Sequence, residues 1–111
     1  MLSLSPATRI FVALEPVDMR QHFNGLYARV QTVLEQDPLS GHYFLFANKS
    51  RNRLKILFFD GSGLWIFSKR LERSTFNWPS GEGKSRTLRP EELSLLIHGL
   101  EGQSRKNWHR V

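Results

Sequence analysis

A short turn between two alternating segments constrains the fold of this chain most strongly. Asp60-Gly-Ser-Gly63 separates the segment Arg53–Phe59 from the segment Leu64–Leu71, and both are rich in apolar and aromatic residues. Asp-Gly supplies the positive backbone φ angles that tight hairpins require. The sequence therefore predicts an antiparallel hairpin in the middle of the chain.

Further strands extend this hairpin into a β-meander. His42–Ala47 precedes it, and Ser74–Trp78 follows it as a predicted fourth strand. Lys84–Leu88 is predicted as an edge strand. The apolar run at residues 9–14 predicts one more strand, short and buried.

Two segments with apolar residues at helical spacing flank the meander. The first helix is predicted to begin at Asp18, a good N-cap residue with Gln21 in the capping-box position, and to end at Asp37-Pro38. The second begins at Pro90, a residue suited to the first helical position, and is stopped by Gly99 and Gly102. The predicted class is α+β: a single domain with an antiparallel β-meander of about four to six strands, packed with an N-terminal helix and a shorter C-terminal helix.

The chain has 111 residues and no cysteine. Dividing it would leave neither half a sizeable core, so we expect one domain over residues 1–102, with 103–111 as a flexible basic tail. The lack of cysteine excludes a disulfide framework, a thiol nucleophile and thiolate zinc sites. The start of the sequence lacks the features of a signal peptide, and no apolar run approaches the roughly 18 residues of a membrane span. We expect a cytoplasmic protein without a membrane partner.

Positive charge is concentrated in the middle of the sequence. The formal net charge is +6, and residues 47–89 hold ten basic residues against three acidic ones, whereas residues 1–46 and 90–111 are close to neutral. A concentration of this kind indicates a surface for a polyanion, with nucleic acid as the first candidate. The alternative is a set of solvated strand edges, on which Lys and Arg discourage aggregation.

The basic residues of the meander are the candidate phosphate contacts. One sheet face is predicted to combine aromatic side chains with Arg53, Lys55 and Lys69. Such a face can bind phosphates and stack exposed bases, although no RNP-type aromatic signature is present. A sheet covered by a helix at one end and exposed to water at the other would show the same pattern. The candidate nucleic-acid contacts are Lys49, Arg51, Arg53, Lys55, Lys69, Arg70 and Arg73.

No arrangement of residues predicts a catalytic centre. The four histidines lie in different elements without ligand spacing. Asp18, Asp60 and Glu72 form an alternative, a three-carboxylate metal site of the kind found in phosphoryl-transfer nucleases. Each acid also has a structural explanation, because Asp18 caps a helix, Asp60 forms a turn, and Glu72 lies close to Arg70 and Arg73. We therefore predict no catalytic residue, no metal and no cofactor.

Motifs spread over residues 8–101 resemble one protein family. The blocks that carry the resemblance are Val17-Asp-Met-Arg20, Phe23, Gly25-Leu26, Asp37-Pro38, Ser40-Gly41, Phe44-Leu-Phe46, Asn48-Lys49, Arg53-Leu-Lys55, Asp60-Gly61, Gly63-Leu64, Lys69-Arg-Leu-Glu-Arg73, Phe76 and Trp78-Pro79. This family is the small accessory protein TnpB, encoded by the second open reading frame of the insertion sequence 66 group of bacterial transposons. The family usually has two tryptophans before the Asp-Gly turn, where this chain has Phe58-Phe59.

The resemblance implies an accessory role in transposition, beside a separate and larger transposase that carries the catalytic acids. It assigns no catalytic residue to this chain. We expect a non-catalytic protein that binds element ends or target DNA through the basic meander. The alternative is an adaptor that docks on the transposase or another element-encoded protein. Its anchors would be Trp65, Phe67 and Trp78, since interface cores favour large aromatic residues.

Overall fold

A computed structural model describes residues 7–99, which form two helices and a five-stranded sheet. The elements in chain order are β1 (Ile10–Ala13), α1 (Phe23–Thr32), β2 (Tyr43–Ala47), β3 (Arg53–Phe59), β4 (Leu64–Arg70), β5 (Ser85–Leu88) and α2 (Pro90–Ile97). The α+β class and the number of strands are confirmed. The predicted domain boundary at residue 102 and the predicted tail lie outside the described residues.

The sheet has the strand order β4-β3-β2-β1-β5 and is mixed. β1 and β2 are parallel, with Ile10 opposite Tyr43, and the other three pairs are antiparallel. The prediction of a purely antiparallel sheet is therefore wrong at this pair. The parallel pairing of β1 with β2 is caused by α1. This helix carries the chain from the end of β1 back to the start of β2, and such a crossover makes neighbouring strands parallel.

The two helices cover opposite faces of the sheet. On the first face, Leu26 and Val30 of α1 pack against the strands, and on the second face Leu93 and Leu96 of α2 do so. We call these the α1 face and the α2 face. The buried strand residues of the α1 face are Phe11, Ala13, Phe44, Phe46 and Leu57. Those of the α2 face are Ile10, Val12, Tyr43, Leu45, Leu54 and Ile56.

Helix α1 begins five residues later than Asp18, so the predicted capping box is wrong. The Asp18 carboxylate accepts hydrogen bonds from the main-chain N–H and the guanidinium of Arg20. Residues 18–21 form a turn, in which the Gln21 N–H donates to the Asp18 carbonyl. The helix then ends at Thr32, before Asp37-Pro38, and Glu35 beyond it has a φ of 55°. The apolar spacing predicted the helix, but it did not predict these ends.

The segment 74–78 is not a strand, contrary to the prediction. It runs across the α2 face as irregular chain, and Phe76 is buried there with 2% of its surface exposed. The Phe76 N–H donates to the Arg51 carbonyl at 2.7 Å, which attaches the segment to the β2–β3 turn. The edge strand predicted at 84–88 is confirmed as β5 and pairs with β1. Helix α2 begins at Pro90 as predicted, and Glu92 accepts a hydrogen bond from the Arg89 N–H.

Candidate nucleic-acid interface

The register of the β3–β4 hairpin divides the basic residues between two faces of the sheet. Arg53 lies opposite Arg70 and Lys55 lies opposite Ser68, whereas Lys69 lies opposite Leu54. Leu54 belongs to the α2 face, and directly opposed residues project to the same side. The predicted single face with Arg53, Lys55 and Lys69 is therefore wrong, because Lys69 lies on the side away from the other two.

The two lysines of the hairpin strands, Lys55 and Lys69, bind main-chain carbonyls of the protein itself. Lys55 Nζ donates to the carbonyls of Met19 and Gln21 at 2.8 and 2.7 Å, in the turn before α1. Lys69 Nζ donates to the carbonyl of Ile97 at 2.8 Å, at the last residue of α2. A cation at a helix C-terminus satisfies an orphan carbonyl and complements the helix dipole. Lys55 therefore attaches the turn before α1 to the sheet, and Lys69 attaches the end of α2.

Arg51 is also committed to the fold. Its guanidinium lies over the Trp78 ring, 5.6 Å from the centroid, and Nη2 donates to the Leu14 carbonyl at 3.3 Å. Nη1 is buried and has no hydrogen-bond partner, and burial lowers the pKa of the guanidinium. This residue has a φ of 60°. We conclude that Arg51 supports the packing of Trp78 and the β2–β3 turn.

The four remaining candidates are exposed: Lys49, Arg53, Arg70 and Arg73. Arg70 forms an exposed ion pair with Glu72, with Nη2 3.1 Å from the carboxylate. Exposed ion pairs of this kind contribute little to the stability of the fold, since water and salt screen them. The Arg70 guanidinium is thus free to exchange its partner for a phosphate.

Arg53 and Arg70 flank a groove between the end of the hairpin and the turn before α1. The groove has a volume of about 360 Å³ and is lined on this side by Met19, Arg53, Lys55, Ser68 and Arg70. Three of these five side chains are cationic, and Ser68 adds a hydroxyl. Guanidinium groups bind phosphate oxygens in a bidentate manner, so the groove suits a phosphodiester. We call it the basic groove.

The three candidate aromatic anchors do not form one surface. Trp65 and Phe67 stack on β4 with centroids 5.7 Å apart and an interplanar angle of 6°. Trp78 lies three strands away, where its indole N–H donates to the Ala13 carbonyl at 2.9 Å. Trp78 is therefore a packing residue of the α2 face. Trp65 is exposed, and the partly buried Phe67 stacks beside it, so we call these two residues the aromatic pair.

Asp60 organises the hairpin turn and also holds Trp65. One carboxylate oxygen accepts hydrogen bonds from the N–H groups of Ser62 and Gly63, and the other accepts from Trp65 Nε1 at 2.7 Å. These hydrogen bonds hold the pKa of Asp60 well below its usual range, and the one from the Trp65 indole has the largest effect. The carboxylate is thus ionised, and both of its oxygens accept hydrogen bonds from the protein.

The three carboxylates of the alternative nuclease site do not come together. Asp18 pairs with Arg20, which lowers its pKa to about 2, while Asp60 binds the hairpin turn and Glu72 pairs with Arg70. Within residues 7–99, no group of three or more His, Asp or Glu side chains is placed to hold a metal ion. The alternative three-carboxylate site is therefore not formed by these residues.

A second cavity, of about 510 Å³, was not predicted from the sequence. It lies between the 77–80 segment, β5 and α2, with Trp78 and Leu96 on its apolar side and Arg86 and Arg89 on its polar side. These residues all lie between positions 77 and 96, and the packing of the 77–80 segment beside β5 and α2 brings them together. The high density of cations in residues 47–89 was the one signal that included Arg86 and Arg89.

The fold and surface define a small α+β protein with a basic groove near one sheet edge and, on the same edge strand, an aromatic pair of which Trp65 is exposed. A family model for IS66 Orf2-like proteins matches residues 8–107, and the chain belongs to this family of transposition accessory proteins. Two relatives from Sinorhizobium fredii are similar to it. The uncharacterized protein y4hO is 41% identical over 101 residues, covering 91% of this chain and 88% of the relative. The uncharacterized protein y4jC is 40% identical over 111 residues, covering 100% of this chain and 90% of the relative.

No solved structure matches the chain significantly. Within residues 7–99, neither helix is long and apolar enough to cross a membrane.

Proposed function

We propose that this protein is a non-catalytic accessory factor of insertion-sequence transposition that binds DNA through the basic groove. Family membership supports the transposition context. We place the binding of element DNA in the cytoplasm. The groove supplies Arg53 and Arg70 as phosphate contacts, with Lys49 and Arg73 as further exposed cations nearby in the sequence. Element ends and target DNA are both candidate ligands, because both present phosphates to these cations.

One observation carries the proposal: Arg53 lies directly opposite Arg70 on adjacent strands. Like charges in opposed positions of a sheet are destabilising. Both side chains are exposed. Glu72 forms an ion pair with Arg70 and not with Arg53. A bound phosphate would offset the repulsion, so an anion is the ligand that this pair favours.

DNA binding is tested by titrating a labelled duplex of an element end at two or more salt concentrations. Each phosphate contact contributes a slope of about −0.9 in a plot of log affinity against log salt. The double variant Arg53→Gln/Arg70→Gln should weaken binding and make this slope shallower by about 2. A matched double variant, Lys84→Gln/Arg86→Gln, removes two charges at the opposite edge of the sheet and should change the slope little. Absence of binding to duplex and single-stranded DNA at low salt would refute the proposal.

The absence of catalysis is a separate part of the proposal, supported by the separation of Asp18, Asp60 and Glu72. The test is incubation of the protein with end-containing DNA and Mg²⁺. We expect no cleavage. Cleavage that Asp60→Ala abolishes, without unfolding the protein, would show that the protein is a nuclease.

The alternative function is that of an adaptor that docks on the transposase or another element-encoded protein without contacting DNA. The exposure of Trp65 favours it, because half-exposed tryptophans are frequent anchors of protein interfaces. Co-purification with the transposase should then survive nuclease digestion and be lost in Trp65→Ala. If digestion abolishes the association, DNA is the bridge and the adaptor function is excluded.

A further inference from the structure

Trp65 is held by two side-chain contacts while half of its surface remains in contact with solvent. Its exposed fraction is 50%, and it stands on β4, the edge strand of the sheet. The Phe67 ring supports one side of the indole in a nearly parallel stack, and the Asp60 carboxylate binds its N–H. The hydrogen-bonding group of the indole is therefore already occupied. What remains available to a ligand is aromatic surface.

The stack of Phe67 and Trp65 is open at its outer end. Gly63 is the next residue on the same side of the chain, and it has no side chain to cover the indole. A Cβ atom built at Gly63 would meet no other atom within 4 Å. Another planar ring can therefore continue the stack beyond Trp65.

We infer that Trp65 stacks with an unpaired base of single-stranded DNA whose phosphates are bound in the basic groove. This inference rests on the DNA binding proposed above. Trp65 precedes Arg70 by five positions on β4, about 17 Å along the strand. Because β4 is an edge strand, one nucleic-acid strand can cross it and reach both the groove on the α1 face and the aromatic pair on the α2 face.

The chemistry of the two parts suits single-stranded DNA of varied sequence. Stacking on an aromatic side chain accepts any base, since every base has a flat π-face, and cations bind the backbone. In a duplex the bases are already stacked, so Trp65 has no ring to bind. The aromatic pair should therefore add affinity for single strands and for unpaired ends, but not for a continuous duplex.

The experiment compares the full chain and its variants on a labelled single strand and on the duplex of the same sequence, by fluorescence anisotropy. Trp65→Ala should weaken single-strand binding by about 5- to 150-fold and leave duplex binding within about twofold. Trp65→Phe should retain most of the single-strand affinity, because it keeps an aromatic ring for stacking. It loses the hydrogen bond to Asp60, so retained affinity would show that stacking, and not this bond, carries the effect. Leu95→Ala removes another exposed apolar side chain, on α2, and is the matched control.

Gly63→Val is a second test, because it leaves Trp65 in place and fills the position beside it. The φ of Gly63 lies outside the left-handed region and the space is open, so we expect the variant to fold. It should reduce single-strand affinity as Trp65→Ala does. Thermal unfolding of each variant verifies that the fold is retained.

The outcomes separate this inference from the proposed function. If duplex DNA binds with the expected salt dependence while Trp65→Ala and Gly63→Val leave single-strand affinity unchanged, the inference is wrong and the proposed function stands. If neither form of DNA binds at low salt, the proposed function fails and the inference fails with it. If Trp65→Ala abolishes only nuclease-resistant association with the transposase, the aromatic pair is a protein contact.

Discussion

The ammonium group of Lys55 donates a hydrogen bond to the main-chain carbonyl of Met19 at 2.8 Å, and a second one, at 2.7 Å, to that of Gln21. In a helix beginning at Asp18, these two carbonyls would accept from N–H groups four residues further on. Lys55 takes them instead, so the turn before α1 is attached to β3 of the sheet. A residue that the charge pattern predicts as a phosphate contact therefore also determines how the chain enters α1.

Replacing Lys55 should destabilise the protein. Lys55→Met keeps the aliphatic stem and removes two hydrogen bonds from a charged donor, for which we expect a loss of about 2–3 kcal/mol in the free energy of unfolding. Urea unfolding measures it. The control is Arg53→Gln, two residues earlier and exposed, which should change stability by no more than about 0.5 kcal/mol. Equal effects of the two substitutions would contradict the structural role of Lys55.

Phe76 should be among the residues on which stability depends most, although it lies in no helix or strand. It is 2% exposed and packs in the cluster that contains Leu93 and Leu96. Phe76→Ala should cost about 3–5 kcal/mol, since burial is lost and a cavity is left. The neighbouring Thr75 is exposed, so Thr75→Ala should be nearly neutral. A small effect of Phe76→Ala would mean that the segment is not packed on the α2 face.

Local sequence patterns predicted the central hairpin well. β3 occupies Arg53–Phe59 as predicted, because strand alternation and the Asp60-Gly61 turn are both local signals. The parallel pairing of β1 with β2 was not predicted, since it depends on α1 returning the chain to the start of the sheet. The late start of α1 was missed for a similar reason, as the carbonyls before it are bound by Lys55, which is more than 30 residues away in the sequence.

The candidate site was predicted in composition but only partly in geometry. Charge density identified the segment that contains the cations of the basic groove, yet it did not distinguish Arg53, which is exposed, from Lys69, which binds the end of α2. That distinction requires knowledge of which helix covers which face. The same limitation applies to Trp65, which is exposed, and Trp78, which is partly buried against the core of the α2 face.

Asp60 should make stability depend on pH in the acid range. Its pKa in the folded protein is far below that of an unfolded aspartate, about 3.9, so its contribution is complete above this pH and is lost as the pH falls further. Asp60→Asn should lower stability at pH 7 and flatten its decline below about pH 4. Glu82→Gln, in the exposed loop before β5, is the charge-matched control. Parallel pH curves for Asp60→Asn and the unchanged protein would contradict this assignment.

The opposed pair Arg53 and Arg70 predicts a conflict between stability and binding. Arg53→Gln relieves the repulsion across the β3–β4 ladder, so at low salt it should raise the free energy of unfolding by a few tenths of a kcal/mol. High salt should remove the gain, because the Debye length falls to about 3 Å at 1 M. Lys84→Gln is the control: it removes the same charge but breaks an ion pair with Glu15, so it should lower stability slightly. The two variants change net charge equally, and stabilisation by both would indicate a general charge effect instead. If Arg53→Gln stabilises the protein while weakening DNA binding, the arginine is kept at a cost to the fold, as expected of a residue that serves a ligand.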